Sequence, residues 1–172
     1  MPESDMTDSA PPHPGTWADL DVTDAPRPAD LALISEALDR FNTERTGIDD
    51  RRPLAVLVRD PETHQVIGGL TGRTSLGLFF VDLLFLPPEL RGSGLGSRVL
   101  RHAEQEARAR GCHAAVLYTI SFQAPGFYRR HGWRELGEVP CDPPGTSRVF
   151  MTKELTAPVA TGARPTDGAN VA

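Results

Sequence analysis

Lysine is nearly absent from this chain. Lys153 is the only one, and the other basic residues are arginines, a bias that reads as genome composition and not as recognition. With 18 basic against 23 acidic residues the formal charge is −5, which argues against the basic stripe of a nucleic-acid binder. There are two cysteines, Cys112 and Cys141, and neither stands at metal-ligand spacing with a histidine pair. His13, His64, His102, His113 and His131 are scattered in the same way, so no metal is expected. No apolar run approaches the ~20 residues needed to span a bilayer. The N-terminus has acids and prolines where a signal peptide needs a basic and then an apolar segment, so a cytosolic protein is expected.

What is present fits one domain. A chain of 172 residues has room for a single proper core. Residues 1–15 and 156–172 carry Pro, Gly, Ala, Thr and Asp without apolar period and are expected to be disordered tails. The folded domain is then 16–155.

Within it, residues 16–22 are a weak first strand. Leu31, Ile34, Leu38 and Phe41, spaced three and four apart, mark one face of a helix that starts near Pro28 or Asp30 and frays by Gly47. Residues 54–58 form an apolar strand, with 65–73 and 78–86 following through short turns as an antiparallel meander. A helix after Gly94 has Leu95, Val99, Ala103 and Ala107 on one side with Leu100 flanking. Arg98, Arg101, Glu104, Glu106, Arg108 and Arg110 cover the other side, and Gly111 ends it. Cys112, just beyond, is expected to pack. Residues 114–120 make the next strand, parallel to 78–86 across this crossover. A short helix (124–131) and two strands (133–139 and 148–155) complete a mixed α/β (α+β) pattern.

The chain is organised around the stretch VDLLFLPPELRGSGLG, residues 81–96. Pro87-Pro88 stop the strand, because proline cannot continue a ladder. Gly92, Gly94 and Gly96 permit a tight turn whose amides can converge, and the helix that follows adds its unpaired N–H groups and the positive end of its dipole. Together these suit a phosphate or pyrophosphate. The run lacks the Gly-Lys-Ser/Thr ending of a nucleotide P-loop, and its third glycine is one residue early for a dinucleotide fingerprint. A turn that binds nothing remains the alternative.

Arg91-Gly92-Ser93-Gly94-Leu95-Gly96 matches Arg/Gln-x-x-Gly-x-Gly/Ala, and in it the chain resembles the GNAT superfamily of acyl-CoA-dependent N-acyltransferases. A second run, Ser121 to Trp133, is similar to that family's Asn-x-x-Ala-x-x-Leu/Phe-Tyr-x-x-x-Gly-aromatic. Ala124, Phe127, Tyr128, Gly132 and Trp133 fall in register, and Ser121 stands where the family usually has Asn. The stretch YTISFQAPGFY resembles one bacterial subgroup of largely undefined substrate.

The resemblance implies a mostly antiparallel sheet with a central parallel strand pair around a CoA cleft, flanked by helices. It implies that Arg91, Gly92, Ser93, Gly94, Leu95, Gly96 and Ser97 hold the pyrophosphate of acetyl-CoA, with Phe127 and Ser121 on the pantetheine arm. The backbone of Leu84, Phe85 and Leu86 would pair with pantetheine like an added strand, an N–H of Phe85 or Leu86 serving the thioester carbonyl as oxyanion donor. Tyr128 would be the general acid for the leaving thiolate, since a phenol of pKa near ~10 stays protonated at neutral pH. The alternative for Tyr128 is packing.

Asp82 is the sole ionisable residue of the strand 78–86 and shares a face with Leu84 and Leu86 by the period of two. It is either the base or amine anchor, or the partner of an arginine. Asn42, Glu44, Asp49 and Asp50 fall where the family's acceptor groove lies, or form a solvated loop. If Asp49 and Asp50 overhang Asp82, the acceptor is a small cationic amine or a protein lysine or N-terminus. The activity implied is direct acetyl transfer in a ternary complex, because no cysteine is placed for a covalent intermediate. The competing reading is a non-catalytic acyl-CoA-binding or regulatory module. The partners implied are acetyl-CoA and an amine, without nucleic acid or membrane, and monomer and homodimer both remain open.

Overall fold

The computed structural model describes residues 19–155, so both expected tails lie outside the described residues. The chain falls into two units, one ending at Phe41 and the other beginning at Asn42. The first is carried by the helix α1 (Pro28–Thr46), begun where Pro and Asp were expected to begin it. Arg27 donates to Asp30 there at 2.7 and 2.9 Å. Residues 19–22 form no strand, and 16–18 lie outside the described residues.

The second unit is a six-stranded sheet with its helices. In chain order it runs β1 (Arg52–Arg59), β2 (Val66–Ser75), β3 (Leu78–Phe85), a 3₁₀ turn (Pro88–Leu90), α2 (Leu95–Ala109), β4 (Ala114–Ile120), α3 (Pro125–Arg130), β5 (Arg134–Cys141) and β6 (Thr146–Glu154). Across the sheet the order is β1-β2-β3-β4-β6-β5. Every neighbouring pair is antiparallel except β3 and β4, which α2 connects in parallel. This is the expected mixed sheet with a central parallel pair.

The core lies between the sheet and α2. Val99, Leu100, Ala103 and Ala107 point inward from the helix onto Leu70, Phe79, Ala115 and Met151, each of which is fully or almost fully buried. Glu104 is a correction to the expected polar face of this helix, because it is buried too. Its carboxylate accepts from Trp133 Nε1 at 3.1 Å and from Lys153 Nζ at 2.6 Å, with Arg108 at 3.6 Å. The sole lysine is thus spent inside, where a buried carboxylate needs a cation. Through this group α2, β6 and Trp133, the residue before β5, are joined.

Two irregularities in β3 shape everything that follows. First, β3 pairs with β4 only at Leu78, Phe79 and Phe80, after which the strands part. Second, the register against β2 slips between Val81 and Leu83, which face Gly72 and Thr71, and leaves Asp82 as the extra residue of a β-bulge. Gly72 is what allows the approach, since a Cβ there would stand 2.1 Å from the Phe80 carbonyl oxygen. The bulge resets the alternation. Phe79 and Val81 face the core before it, and Leu84 and Leu86 after it. Asp82 therefore does not share their face, and the simple period of two fails at this one residue.

Candidate active site

Where β3 and β4 part, a cleft of about 940 Å³ opens. Its walls include Val81, Leu84, Leu86, Leu117 and Thr119 from the core face of the sheet. They also include Asp82, Tyr118, Ile120 and Arg148, which the alternation and the bulge place on the opposite face. The cleft is a slot through the sheet. Beyond Phe80, the β3 edge facing it has no strand partner among the described residues, so the expected free edge at Leu84 to Leu86 is present.

One end of the slot is the Gly-rich loop. Gly92 and Gly94 take φ of +77° and +81°, in the left-handed region that L side chains rarely adopt. A Cβ at either would meet nothing within 4 Å, so the loop is not closed by packing but faces open space. Gly94 caps α2 without a side-chain hydrogen bond, and the first turn has no acidic residue. Arg98 N–H is the first to bond back, to the Gly94 carbonyl at 3.2 Å. The amides of Leu95, Gly96 and Ser97 are thus helix-start donors without intrahelical acceptors. Donors of this kind, at a positive dipole end, fit a pyrophosphate.

Arg91 bridges loop and strand. Its Nε donates to the Leu86 carbonyl at 2.9 Å and its guanidinium lies 5.9 Å from the Phe85 ring centre. Ser93, in the loop, and Leu95, the first residue of α2, do not line the cleft. Ser93 Oγ donates to the Leu90 carbonyl at 2.9 Å, and Leu95 packs on the core. The facing lip is α3. The site of a Cβ on Gly96 is 3.5 Å from the Phe127 ring, and Arg130 lies along the same lip.

Tyr128 reaches the slot from α3, with its ring edge-on to Trp133 at 5.8 Å and to Phe127 at 5.1 Å. Burial pushes its phenol up to about 12, because the phenolate would lose its water. The proton is therefore held firmly.

Ser121 is not brought to the cleft. Its N–H donates to the Ser147 carbonyl at 2.8 Å and its hydroxyl accepts from Ser147 N–H at 3.1 Å, extending the β4–β6 ladder. Gln123 lines the wall two residues on, its Oε1 accepting from Ile120 N–H at 3.2 Å. The acidic loop also departs from expectation. Asp50 accepts from Leu76 and Gly77 N–H at 2.8 and 3.4 Å, at the opposite end of β3 from the slot. That is roughly 16 Å from Asp82 at ~3.3 Å per residue. Neither Asp50 nor Asp49, Glu44 or Asn42 lines the cleft.

Asp82 does line it, and is the one carboxylate among the described lining residues. Its Oδ1 accepts from Arg73 Nη1 at 2.6 Å, the arginine partner that was one of its two expected fates. Among the described residues the cleft is also lined by the cations Arg91, Arg130 and Arg148. Among the described residues no convergence of acids is found at the cleft, and the argument for a cationic acceptor that rested on Asp49 and Asp50 goes with it.

The sequence comparisons agree with this architecture. Residues 17–133 match the model of the acetyltransferase (GNAT) family. The chain belongs to the GNAT family. Acetyltransferase Atu2258 of Agrobacterium fabrum is 37% identical over 122 residues, 71% of this chain and 88% of that protein. Blasticidin-S acetyltransferase of Streptomyces morookaense is 40% identical over 114 residues, 64% of this chain and 84% of its own length. Among solved structures, one from Agrobacterium tumefaciens is 32% identical with a TM-score of 0.72, covering 80% of this chain and 99% of that one. As a GNAT protein the chain is an acetyl-CoA-dependent N-acetyltransferase. The residues that the motifs left out, Tyr118, Phe122, Gln123, Arg130 and Arg148, line the slot through pairing register and loop path. A period of two on 114–120 marks Tyr118, but nothing in the sequence pairs it with residues 148–150.

Proposed function

We propose that acetyl-CoA lies with its pyrophosphate on the amides of Gly92 to Ser97 and its pantetheine along the free edge of Leu84 to Leu86, delivering the acetyl group to a primary amine at the far side of the slot. The observation that carries this reading is the slot itself, open through the sheet between a helix start with free donors and the Tyr128 phenol.

In this reading the neutral amine attacks the thioester carbonyl carbon directly. A C–N bond forms as the C–S bond breaks, with an N–H at Phe85 or Leu86 on the carbonyl oxygen. Asp82, or water it holds, takes the proton that the amine loses. Tyr128 donates to the departing sulfur. With its phenol near 12 and an ordinary thiol near ~8.5, complete proton transfer is uphill by about 5 kcal/mol. The phenol therefore serves as a hydrogen-bond donor to developing thiolate charge; Asp82 passes the amine's proton on to solvent, and the thiolate takes up a proton from solvent as CoA leaves.

The names of the relatives, blasticidin S among them, differ too much to carry an acceptor over to this chain. The test is CoA release from acetyl-CoA with a panel of primary amines, coupled to mass spectrometry of the amine. Acetylated amine in step with free CoA supports the reading. CoA release by water alone, or none with any amine, would remove it.

A further inference from the structure

The acceptor side of the slot contains a cation that acetyl-CoA has no evident use for. Arg91 and Arg130 stand at the two lips beside the Gly-rich loop, where a pyrophosphate needs them. Arg148 stands apart. It pairs in register with Ile120 across β4 and β6, and its guanidinium lies 4.9 Å from the ring centre of Tyr118. Tyr118 and Ile120 belong to the face of β4 opposite Leu117 and Thr119, so Arg148 is on the side of the sheet away from α2.

Three observations make Arg148 an anion site. Its side chain has no hydrogen bond or carboxylate partner among the described residues. Stacking on Tyr118, itself tilted against Phe150 at 5.8 Å, holds the guanidinium in place, so less freedom is lost when it binds. Asp82, the one carboxylate lining the cleft among the described residues, is paired with Arg73 and not with Arg148. A planar guanidinium fixed this way matches a carboxylate by two parallel N–H donors. The wall beside it is apolar, from Tyr118 and Phe122.

We propose that the acceptor is a zwitterion: a primary amine directed to Asp82, an apolar body on Tyr118 and Phe122, and a carboxylate held by Arg148. This rests on the amine-transfer reading above and names its substrate class. An amino acid with an apolar side chain has these three parts; a polycation or a bare alkylamine does not.

The experiment compares phenylalanine, leucine and 6-aminohexanoate, each beside its carboxamide, in the wild type and in Arg148→Gln and Arg148→Lys. At least one acid should exceed its amide by roughly tenfold to a hundredfold in kcat/KM, the span of a hydrogen-bonded charge pair. Arg148→Gln should abolish that preference through KM, Arg148→Lys should restore part of it, and both should bind acetyl-CoA as the wild type does. Acids and amides used equally well, or Arg148→Gln without effect on the ratio, would overturn the carboxylate site while leaving amine transfer intact. Weakened acetyl-CoA binding in Arg148→Gln would overturn it too, by giving Arg148 to the cofactor. If no amine of the panel releases CoA, amine transfer itself falls and this inference with it.

Discussion

Asp82 Oδ1 accepts a 2.6 Å hydrogen bond from Arg73 Nη1, and the same guanidinium lies 4.5 Å above the ring of Phe80. Both partners are roughly half exposed, so the pair contributes about 0.2–1 kcal/mol to stability. Its importance is in position, since it fixes the extra residue of the bulge at the wall of the slot. Asp82→Asn should lower acceptor kcat/KM by tenfold or more while acetyl-CoA affinity is unchanged. The loss should shrink at high pH, where the amine is already neutral. If Asp82→Asn and Arg73→Gln both give only the small stability change, Asp82 has no part in the chemistry.

Gly94 tests the cofactor cradle. At φ +81° any L residue costs about 1–2 kcal/mol, yet a Cβ meets no atom, so Gly94→Ala should fold with a modest loss of stability. Gly94→Asp puts a carboxylate where the phosphates belong and should weaken acetyl-CoA binding at least a hundredfold by calorimetry. Equal affinity in the two variants would contradict the phosphate assignment.

Tyr128→Phe should keep acetyl-CoA affinity and lower kcat about 10²-fold, the usual cost of removing one hydrogen-bond donor to developing charge. The phenol also makes a pH signature. Its folded value of about 12 lies above the ordinary ~10, so the unfolded chain ionises first and stability falls between pH 10 and 12. The full loss is about 2–3 kcal/mol, and it is absent in the phenylalanine variant. A wild-type minus variant difference spectrum should show the phenolate appearing near pH 12. Ionisation near 10 would mean that the phenol is solvated.

Lys153→Met removes the main cation from buried Glu104, leaving Trp133 Nε1 at 3.1 Å and Arg108 at 3.6 Å. We expect a loss of about 2–4 kcal/mol in denaturant unfolding, much of it recovered in Lys153→Met/Glu104→Gln. Additive losses would mean that the two residues act separately.

Much of this was legible in the sequence because it is local. Pro87-Pro88, the spaced glycines and the stripe from Leu95 to Ala107 each act within a few residues, and the loop and helix they predicted are present. What was not legible depends on register. Asp82 left the face it was assigned because one extra residue against Gly72 and Thr71 resets the alternation. Glu104 was placed outside because its cation, Lys153, lies 49 residues away. Ser121 was matched to a motif position, but its hydroxyl was taken by Ser147 in a strand pairing that no spacing reveals. Asp50 was placed at the acceptor groove by the family resemblance, with a solvated loop as the alternative, and is bonded instead to the β2–β3 turn.

That the slot is lined from both faces of the sheet has a kinetic corollary. With acetyl-CoA and the amine bound as proposed, each would enter by a door on its own face of the sheet, so neither would have to wait for the other to arrive or to leave. Initial-rate lines should intersect in either order of saturation, and free CoA should compete with acetyl-CoA alone. A molecule that joins CoA to an amine through an acetyl bridge would pass through both doors at once, and would bind far more tightly than either half.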